Sequence, residues 1–312
     1  MISECTSSPC PVFCTAVYIR PMISVIICSR AADIAPAQRE NIDATIGVPH
    51  EIVVIDNSQG RYSIFQAYNE GVRRAKGDLL CFMHDDLEIV TPGWGGHVER
   101  MFAADRQNEN TLGMVGVIGC RVVPDCPASW FTGGLLSGHV WHRMPHMAEP
   151  DYLENGSDGG DEVAMVDGLW FCMPRAVFGQ GVRFDEETYH GFHCYDSDIC
   201  IQVLQAGKRI LIDREIDIVH FSYGSINQVL IEQREVWYNK WKGILPLCRG
   251  VDLTRCEMDL VTDMAIRLNE WVEHVTMSER EVRRLQGTWA FRLGKAILRP
   301  FNWARNAIRR KG

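Results

Sequence analysis

Two consecutive carboxylates, Asp85 and Asp86, follow His84 where an apolar run ends. Leu79 to Met83 read as a buried strand, and burying an unpaired carboxylate is costly. The two acids must therefore face water, a cation or a hydrogen-bond donor. In an open α/β sheet, ligands bind beyond the carboxyl ends of the strands. Carboxylates placed there suit a hard divalent cation, which can in turn hold a diphosphate. The competing reading makes Asp85 and Asp86 solvated loop residues, or caps for a helix opening near Thr91-Pro92.

Chemistry-bearing residues recur at other element ends: Asp56, the Asp196 and Asp198 pair, and His220. The elements that must position them alternate. Residues 22–30 (MISVIICSR) read as a buried strand ending in Ser29 and Arg30, followed by a helix over about 36–45. Residues 51–58 (EIVVIDNS) form a second such strand, ending at Asp56. Ser63 and Gln66 have capping-box spacing, with Gly77 as the stop for that helix. After the strand at 79–83 come the helix from Thr91-Pro92 and a further strand, GMVGVIGC, over 113–120. This alternation predicts a doubly wound, mostly parallel sheet flanked by helices. No G-x-G-x-x-G follows the first strand, which disfavours a dinucleotide site.

From 122 to 165 the periodicity dissolves into a stretch rich in Gly, Pro, Trp and His, read as a long loop that is functional or mobile. Its histidines (His139, His142, His146) lack a helical spacing, so an aromatic wall around a sugar is preferred to a second metal site. Residues 166–178 read as a tight turn, a strand and a short helix; 193–210 as a helix with acids at its start and Gly207 at its end. A short strand ends at His220, and a long helix over 226–245 aligns Val229, Gln233, Trp237, Trp241 and Ile244 on one face. Residues 249–312 read as a helical extension.

Charged residues at 23% and hydrophobic residues at 46% suit a soluble globular chain of 312 residues. Several of the 12 cysteines (Cys28, Cys81, Cys172, Cys200) sit in apolar runs and none forms C-x-x-C, which suggests buried thiols of a reducing compartment. No apolar run reaches the roughly 18 residues of a membrane span, and no secretory signal opens the chain. The formal charge of −8 is uneven: from Arg283 on there are nine Lys or Arg and no acid, so the first 282 residues carry −17. An acidic body disfavours nucleic acid as a partner. Residues 1–21 read as a disordered leader, or an extension ahead of a start at Met22. The tail carries Trp289, Leu293, Ala296 and Ile297 on one helical face and Arg292, Lys295 and Arg299 on another. That pattern fits an anionic membrane surface, or a helix packed on the acidic body.

The runs ISVIICSR, EIVVIDNS, AYNEGVRRAKGDLLCFMHDDLEI, VDGLWFCMPRAVF, FDEETYHGFHCYDSDICIQVLQAGKRI and VHF resemble, in order and spacing, the family 2 glycosyltransferases of GT-A fold. The resemblance covers about 22–225. It implies inverting transfer of a sugar from a nucleotide-diphosphate donor to a glycan or lipid-linked acceptor, with Mn²⁺ or Mg²⁺ as cofactor. By position it implies that Asp56 reads the base of a UDP-, GDP- or dTDP-sugar, with Ser29 and Arg30 at the adjacent strand end touching the nucleotide. Asp85-Asp86 match the metal-binding D-x-D element, shortened because its first position is His84; Asp86 is then the metal ligand and Asp85 lies on the donor side. Gly168 matches a small residue beside the donor sugar, and His220 matches a late metal-ligating histidine. Asp196 matches the acceptor-activating base, with Tyr195 where Glu is usual. An Asp titrates near 3.9 in water, so this base is expected to be ionised at neutral pH.

Each position keeps a plainer alternative: Asp56 capping a turn, Asp196 or Asp198 capping the helix they open, His220 as a core histidine, Gly168 as a turn glycine. At the level of the whole chain, the alternative to an enzyme is a catalytically silent nucleotide-sugar or glycan-binding module on the same fold. The expected location is cytoplasmic, with the tail giving a peripheral contact on the membrane's cytoplasmic face.

Overall fold

The computed structural model describes residues 21–144, 151–155, 161–222 and 227–287, without the side chains of 151–155 and 279–287. The leader before Pro21 and the basic tail after Gly287 lie outside the described residues.

The first strands form as their composition dictates. β1 (Ile23–Ser29), β2 (His50–Asp56) and β3 (Leu79–Met83) are linked by α1 (Pro36–Thr45) and α2 (Ile64–Arg74). β1 pairs in parallel with both β2 and β3, in registers that align Ser29 with Asp56 and Ile27 with Met83. Successive strand side chains point to opposite faces, and here both faces are covered. Ile26, Leu80 and Phe82 pack beneath α2 with Phe65 and Tyr68, while Ile23, Val25, Ile27, Cys81 and Met83 pack beneath α1 with Ile42. The capping box closes as expected: Ser63 accepts from the Gln66 amide and Gln66 accepts from the Ser63 amide. Gly77 does not terminate α2, whose last residue is Arg74 with Ala75 as cap. It instead leads into β3, where a Cβ would overlap the Met22 carbonyl, so the requirement is close backbone approach rather than a left-handed turn.

After β3 the chain leaves this sheet. β4 (Leu87–Ile89) precedes α3 (Trp94–Asn108), whose cap is Gly93. The stretch expected as one strand over 113–120 is two, β5 (Leu112–Gly116) and β6 (Ile118–Cys120), in different sheets. The region expected to be a long loop contains β7 (Val122–Val123), β8 (Leu136–His142) and β9 (Asp151–Asn155), and ends at β10 (Met165–Val166). It is followed by β11 (Trp170–Pro174), α4 (Arg175–Phe178), α5 (Tyr195–Gln205), β12 (Arg209–Ile212) and β13 (Ile218–His220). The chain continues through α6 (Gln228–Trp241), β14 (Leu247–Cys248) and α7 (Arg255–Gly287).

The central sheet has the order β12-β5-β11-β3-β1-β2 and is mixed: β11 runs antiparallel to both β3 and β5, its other pairs being parallel. A second sheet, β10-β6-β8-β13-β4 with β9 beside β8, stands next to it. β7 and β14 form a small third sheet. α7 lies outside the sheets and docks through Asn269, which accepts from Arg234 (2.7 Å) and donates to the Pro127 carbonyl (2.6 Å). Among the described residues no helix is long and apolar enough to cross a membrane. Nine described cysteines are free thiols, six of them buried and Cys28 only half-buried.

Candidate active site

Because β1, β2 and β3 run parallel and in register, Arg30, Asn57 and His84 emerge at one edge of the central sheet. A cavity of about 660 Å³ opens there. His84, Asp85 and Asp86 occupy the crossing from β3 to β4, that is, from one sheet to the other. β13 lies antiparallel to β4 with His220 opposite Leu87, and the Phe221 amide donates to the Asp86 carbonyl at 3.1 Å. This register brings His220 Nε2 to 3.3 Å from Asp86 Oδ1; His84 Nδ1 lies 3.9 Å from the same oxygen. Donor atoms of His84, Asp86 and His220 all fall within 4.8 Å of one another. Burial pushes the Asp86 carboxyl up, but the hydrogen bond and charge of His220, with that of His84, outweigh it and hold the group at about 2. His84 is pushed down, first by burial and then by His220.

Asp85 points elsewhere. It accepts from the Arg30 amide (3.0 Å) and, through both oxygens, from the Arg30 guanidinium (2.9 and 3.3 Å). The same guanidinium reaches within 3.8 Å of Asp86. Ser29 is buried and its hydroxyl shapes the turn after β1, donating to the Asp33 carbonyl and accepting from the Ala31 amide. Asp56 is exposed at the end of β2, where it accepts from the Ser58 amide at 2.9 Å; Asn57, not Asp56, lines the cavity.

The opposite wall comes from the turn before β11 and the start of α5. Gly168 donates its amide to Asp196 Oδ2 (3.2 Å), and the Ser197 amide donates to Asp196 Oδ1 (2.7 Å). A Cβ on Gly168 would overlap the Tyr195 hydroxyl, so glycine is required for α5 to approach. Asp196 is half-buried and faces the cavity, as does Asp167. Burial, then the neighbouring Asp167 charge, pushes the Asp196 carboxyl up to about 7, overriding two stabilising amide bonds. The expectation of an ordinary, fully ionised Asp at neutral pH is thereby corrected.

Asp198 is not a cap. α5 starts from Cys194 in the left-handed region (φ 62°), with no side-chain cap bond. Asp198 is buried and receives Lys240 Nζ (2.7 Å), Trp241 Nε1 (2.8 Å), the Tyr189 hydroxyl (3.0 Å) and Gln202 Nε2 (2.6 Å). It ties α5 to α6. Breaking a buried ion pair from one side leaves the other group uncompensated, so Asp198→Ala should cost about 3 kcal/mol, read as a lower urea midpoint. Lys240 retains Asp185 at 2.7 Å, which keeps the loss at that end of the range.

At the mouth, Trp130, Phe131, Leu136, Phe192 and Leu230 form an apolar and aromatic wall, with Phe192 half exposed. Of the histidines of the 122–165 stretch, His142 reaches the cavity through the second sheet, its ring 5.4 Å from that of His220. His139 pairs instead with Asp217 at 2.8 Å, and His146 lies outside the described residues.

The model of the Glycosyltransferase like family matches residues 24–243, which include these strand ends, both sheets' contributions and α5. The chain belongs to that family. Its fold is the family 2 glycosyltransferase-like one of GT-A type. This glycosyltransferase-like chain is 27% identical over 169 residues to the streptomycin biosynthesis protein StrF of Streptomyces griseus, covering 52% of the chain and 54% of StrF. It is 21% identical over 193 residues to the O-antigen biosynthesis protein RfbC of Myxococcus xanthus, covering 56% of the chain but 14% of RfbC. The chain thus spans about half of StrF and a small part of RfbC. Among solved structures it is similar to the mannosyltransferase PcManGT from Pyrobaculum calidifontis in complex with GDP-Man and Mn²⁺. That match has a TM-score of 0.45 and 13% identity, covering 90% of this chain and 81% of that one.

Sequence reasoning passed over His84, Tyr195, Asp167 and Asn57 as site residues of this glycosyltransferase-like chain. The signal for His84 was present, since an imidazole beside Asp86 is itself a common metal donor. Nothing in the sequence places Asp167 against Asp196, because the packing of α5 on β10 does so.

Proposed function

We propose that this chain is an inverting, divalent-metal-dependent glycosyltransferase that moves a sugar from a nucleoside-diphosphate donor to a hydroxyl of a glycan or lipid-linked acceptor. The observation that carries the reading is one cavity with three metal-donor atoms within 4.8 Å on one wall and a carboxyl raised to about 7 on another.

The donor set fits a cation. It has two imidazoles and one carboxylate, and the carboxylate is held ionised. His84, Asp86 and His220 would hold the ion, which when bound offsets the charge developing on the leaving diphosphate. Arg30 stands beside this position with its guanidinium exposed and within reach of both aspartates, so it can add a second positive charge on the donor side. Asn57, which lines the cavity at the neighbouring strand end, would meet the base or ribose, with Asp56 exposed just outside it. The aromatic wall suits the apolar face of a sugar or lipid-linked acceptor. Asp196, held in place by the Gly168 and Ser197 amides, takes the acceptor hydroxyl's proton. A base titrating near the working pH is matched to that transfer. With Asp196 taking the proton as the acceptor oxygen attacks, transfer is a single displacement and the anomeric centre inverts.

Two imidazoles favour borderline ions over Mg²⁺, which prefers oxygen ligands in strict octahedral geometry. Mn²⁺ is therefore expected to support turnover at concentrations at least about tenfold below Mg²⁺, checked by metal titration of the initial rate. The reading itself is tested with a panel of UDP-, GDP- and dTDP-sugars and Mn²⁺, following nucleotide release and the anomeric configuration of the product. Inverted product supports it. Retained configuration removes the base assignment, and a chain that binds donors but transfers nothing across a broad acceptor panel is a binding module.

A further inference from the structure

We infer that Tyr195 is a positioning residue: its phenol oxygen accepts the Nε2 proton of His84 and so turns the Nδ1 lone pair of that ring toward the cation position beside Asp86. The inference rests on the metal-dependent reading above and concerns a residue to which the family resemblance gives no such part.

The geometry leaves His84 little freedom. Its amide donates to the Leu169 carbonyl at 3.0 Å and its carbonyl accepts from Gln38 Nε2 at 2.8 Å, so the backbone is held on both sides. Its ring then has two distinct ends. Nδ1 faces Asp86 Oδ1 at 3.9 Å, and Nε2 meets the Tyr195 hydroxyl at 2.7 Å. A neutral imidazole carries one proton, so the nitrogen that ligates must be the bare one and the other must donate. Metal-bound histidines usually donate that second N–H to a carboxylate, carbonyl or water. Here the group facing that nitrogen is a phenol.

Tyr195 is itself immobilised. It is buried, its ring meets Tyr68 edge-on at 5.6 Å and Phe65 edge-on at 6.4 Å, and its hydroxyl end occupies the space left by the missing Cβ of Gly168. This explains the two sequence features together. A tyrosine where the family usually has Glu supplies an acceptor without adding a further charge beside Asp196 and Asp167, and Gly168 makes room for it.

The test uses the full chain and Mn²⁺ alone, without nucleotide. Tyr195→Phe keeps the ring and its packing and removes only the acceptor. Calorimetric titration should show Mn²⁺ affinity about 10–100-fold weaker than the parent, with an unchanged melting temperature in the metal-free state. In long-range ¹H–¹⁵N spectra of the metal-free protein, the His84 ring should move from the Nε2–H toward the Nδ1–H tautomer. Equal Mn²⁺ affinity and an unmoved tautomer in Tyr195→Phe would overturn the inference while leaving the metal reading in place. A parent chain that takes up no Mn²⁺ would overturn the metal reading itself, and this inference with it.

Discussion

Asp86→Asn is expected to remove Mn²⁺-dependent binding of a nucleoside diphosphate while the chain stays folded. Asp86 supplies the only carboxylate of the three-donor cluster among the described residues, and Asp85 cannot stand in because both its oxygens are taken by Arg30. The amide has nearly the same shape and still accepts from His220, so the register of β13 on β4 survives. What disappears is the anion. Loss of a partner outside the ligand set costs roughly 10–100-fold in metal affinity, so loss of the charged ligand should exceed that. Calorimetry of UDP and GDP with and without Mn²⁺ provides the measurement. Unchanged metal-dependent affinity in Asp86→Asn would remove this residue from the site. Asp85→Asn should behave differently, since it loosens Arg30 rather than the cluster, and should weaken diphosphate binding with or without the metal.

Asp196→Asn should lower turnover by about 10²–10⁴-fold and leave donor and metal affinity at parental values. The pH profile adds a sign that a purely structural role lacks. The folded-state carboxyl sits at about 7, well above its ordinary value, so below pH 7 it is protonated and cannot accept the acceptor's proton. The parental rate should then fall about tenfold per pH unit below roughly 7 and level off above it; the variant should lose that limb. Linkage works in the opposite direction for stability. Between the ordinary carboxylate range and pH 7 the native state binds the extra proton, so the group's ionisation costs stability as pH rises through 7. Asp196→Asn removes that cost and should melt above the parent at pH 8. A slower enzyme that is also more stable would mark a functional carboxyl, whereas parental transfer by Asp196→Asn would place the base elsewhere.

The parts of the fold legible in the sequence are those where one local run is enough. β1, β2 and β3 are apolar on both faces and end in polar residues, so their existence, their parallel arrangement and the edge carrying Arg30, Asn57 and His84 could be read without partners. The second sheet could not. Its members are two to seven residues long, β8 contains Gly138 at φ 96°, and its pairing of His142 with His220 joins positions 78 residues apart. The reversed direction of β11 left no trace either, because an apolar run reads alike both ways. At the site, single residues were named without their surroundings. Asp196 was expected to titrate as in water because its burial beside Asp167 is tertiary, and Asp198 was read as a cap because its partners Lys240 and Trp241 lie on a helix more than 40 positions away.

The reversed β11 also bears on how such a chain can diversify. Running against its neighbours, it brings its beginning, not its end, to the edge where the cavity opens, so the wall opposite the cluster is a turn of only three residues between β10 and β11. All three are committed: Asp167 donates its amide to Ile118, Gly168 to Asp196 and Leu169 to the Asp167 carboxylate, while the Leu169 carbonyl receives His84. One inserted residue would flip the following strand's faces and break these bonds together. The 124–135 segment between β7 and β8, which carries Trp130 and Phe131, joins two strands without entering either; it is tied down at Pro127, which holds α7, and at buried Ala128 and Thr132, and lies open at Gly134 and Leu135. A lineage built on this scaffold is therefore held to one length at the three-residue turn, and finds its room for change at the exposed tip of the 124–135 segment.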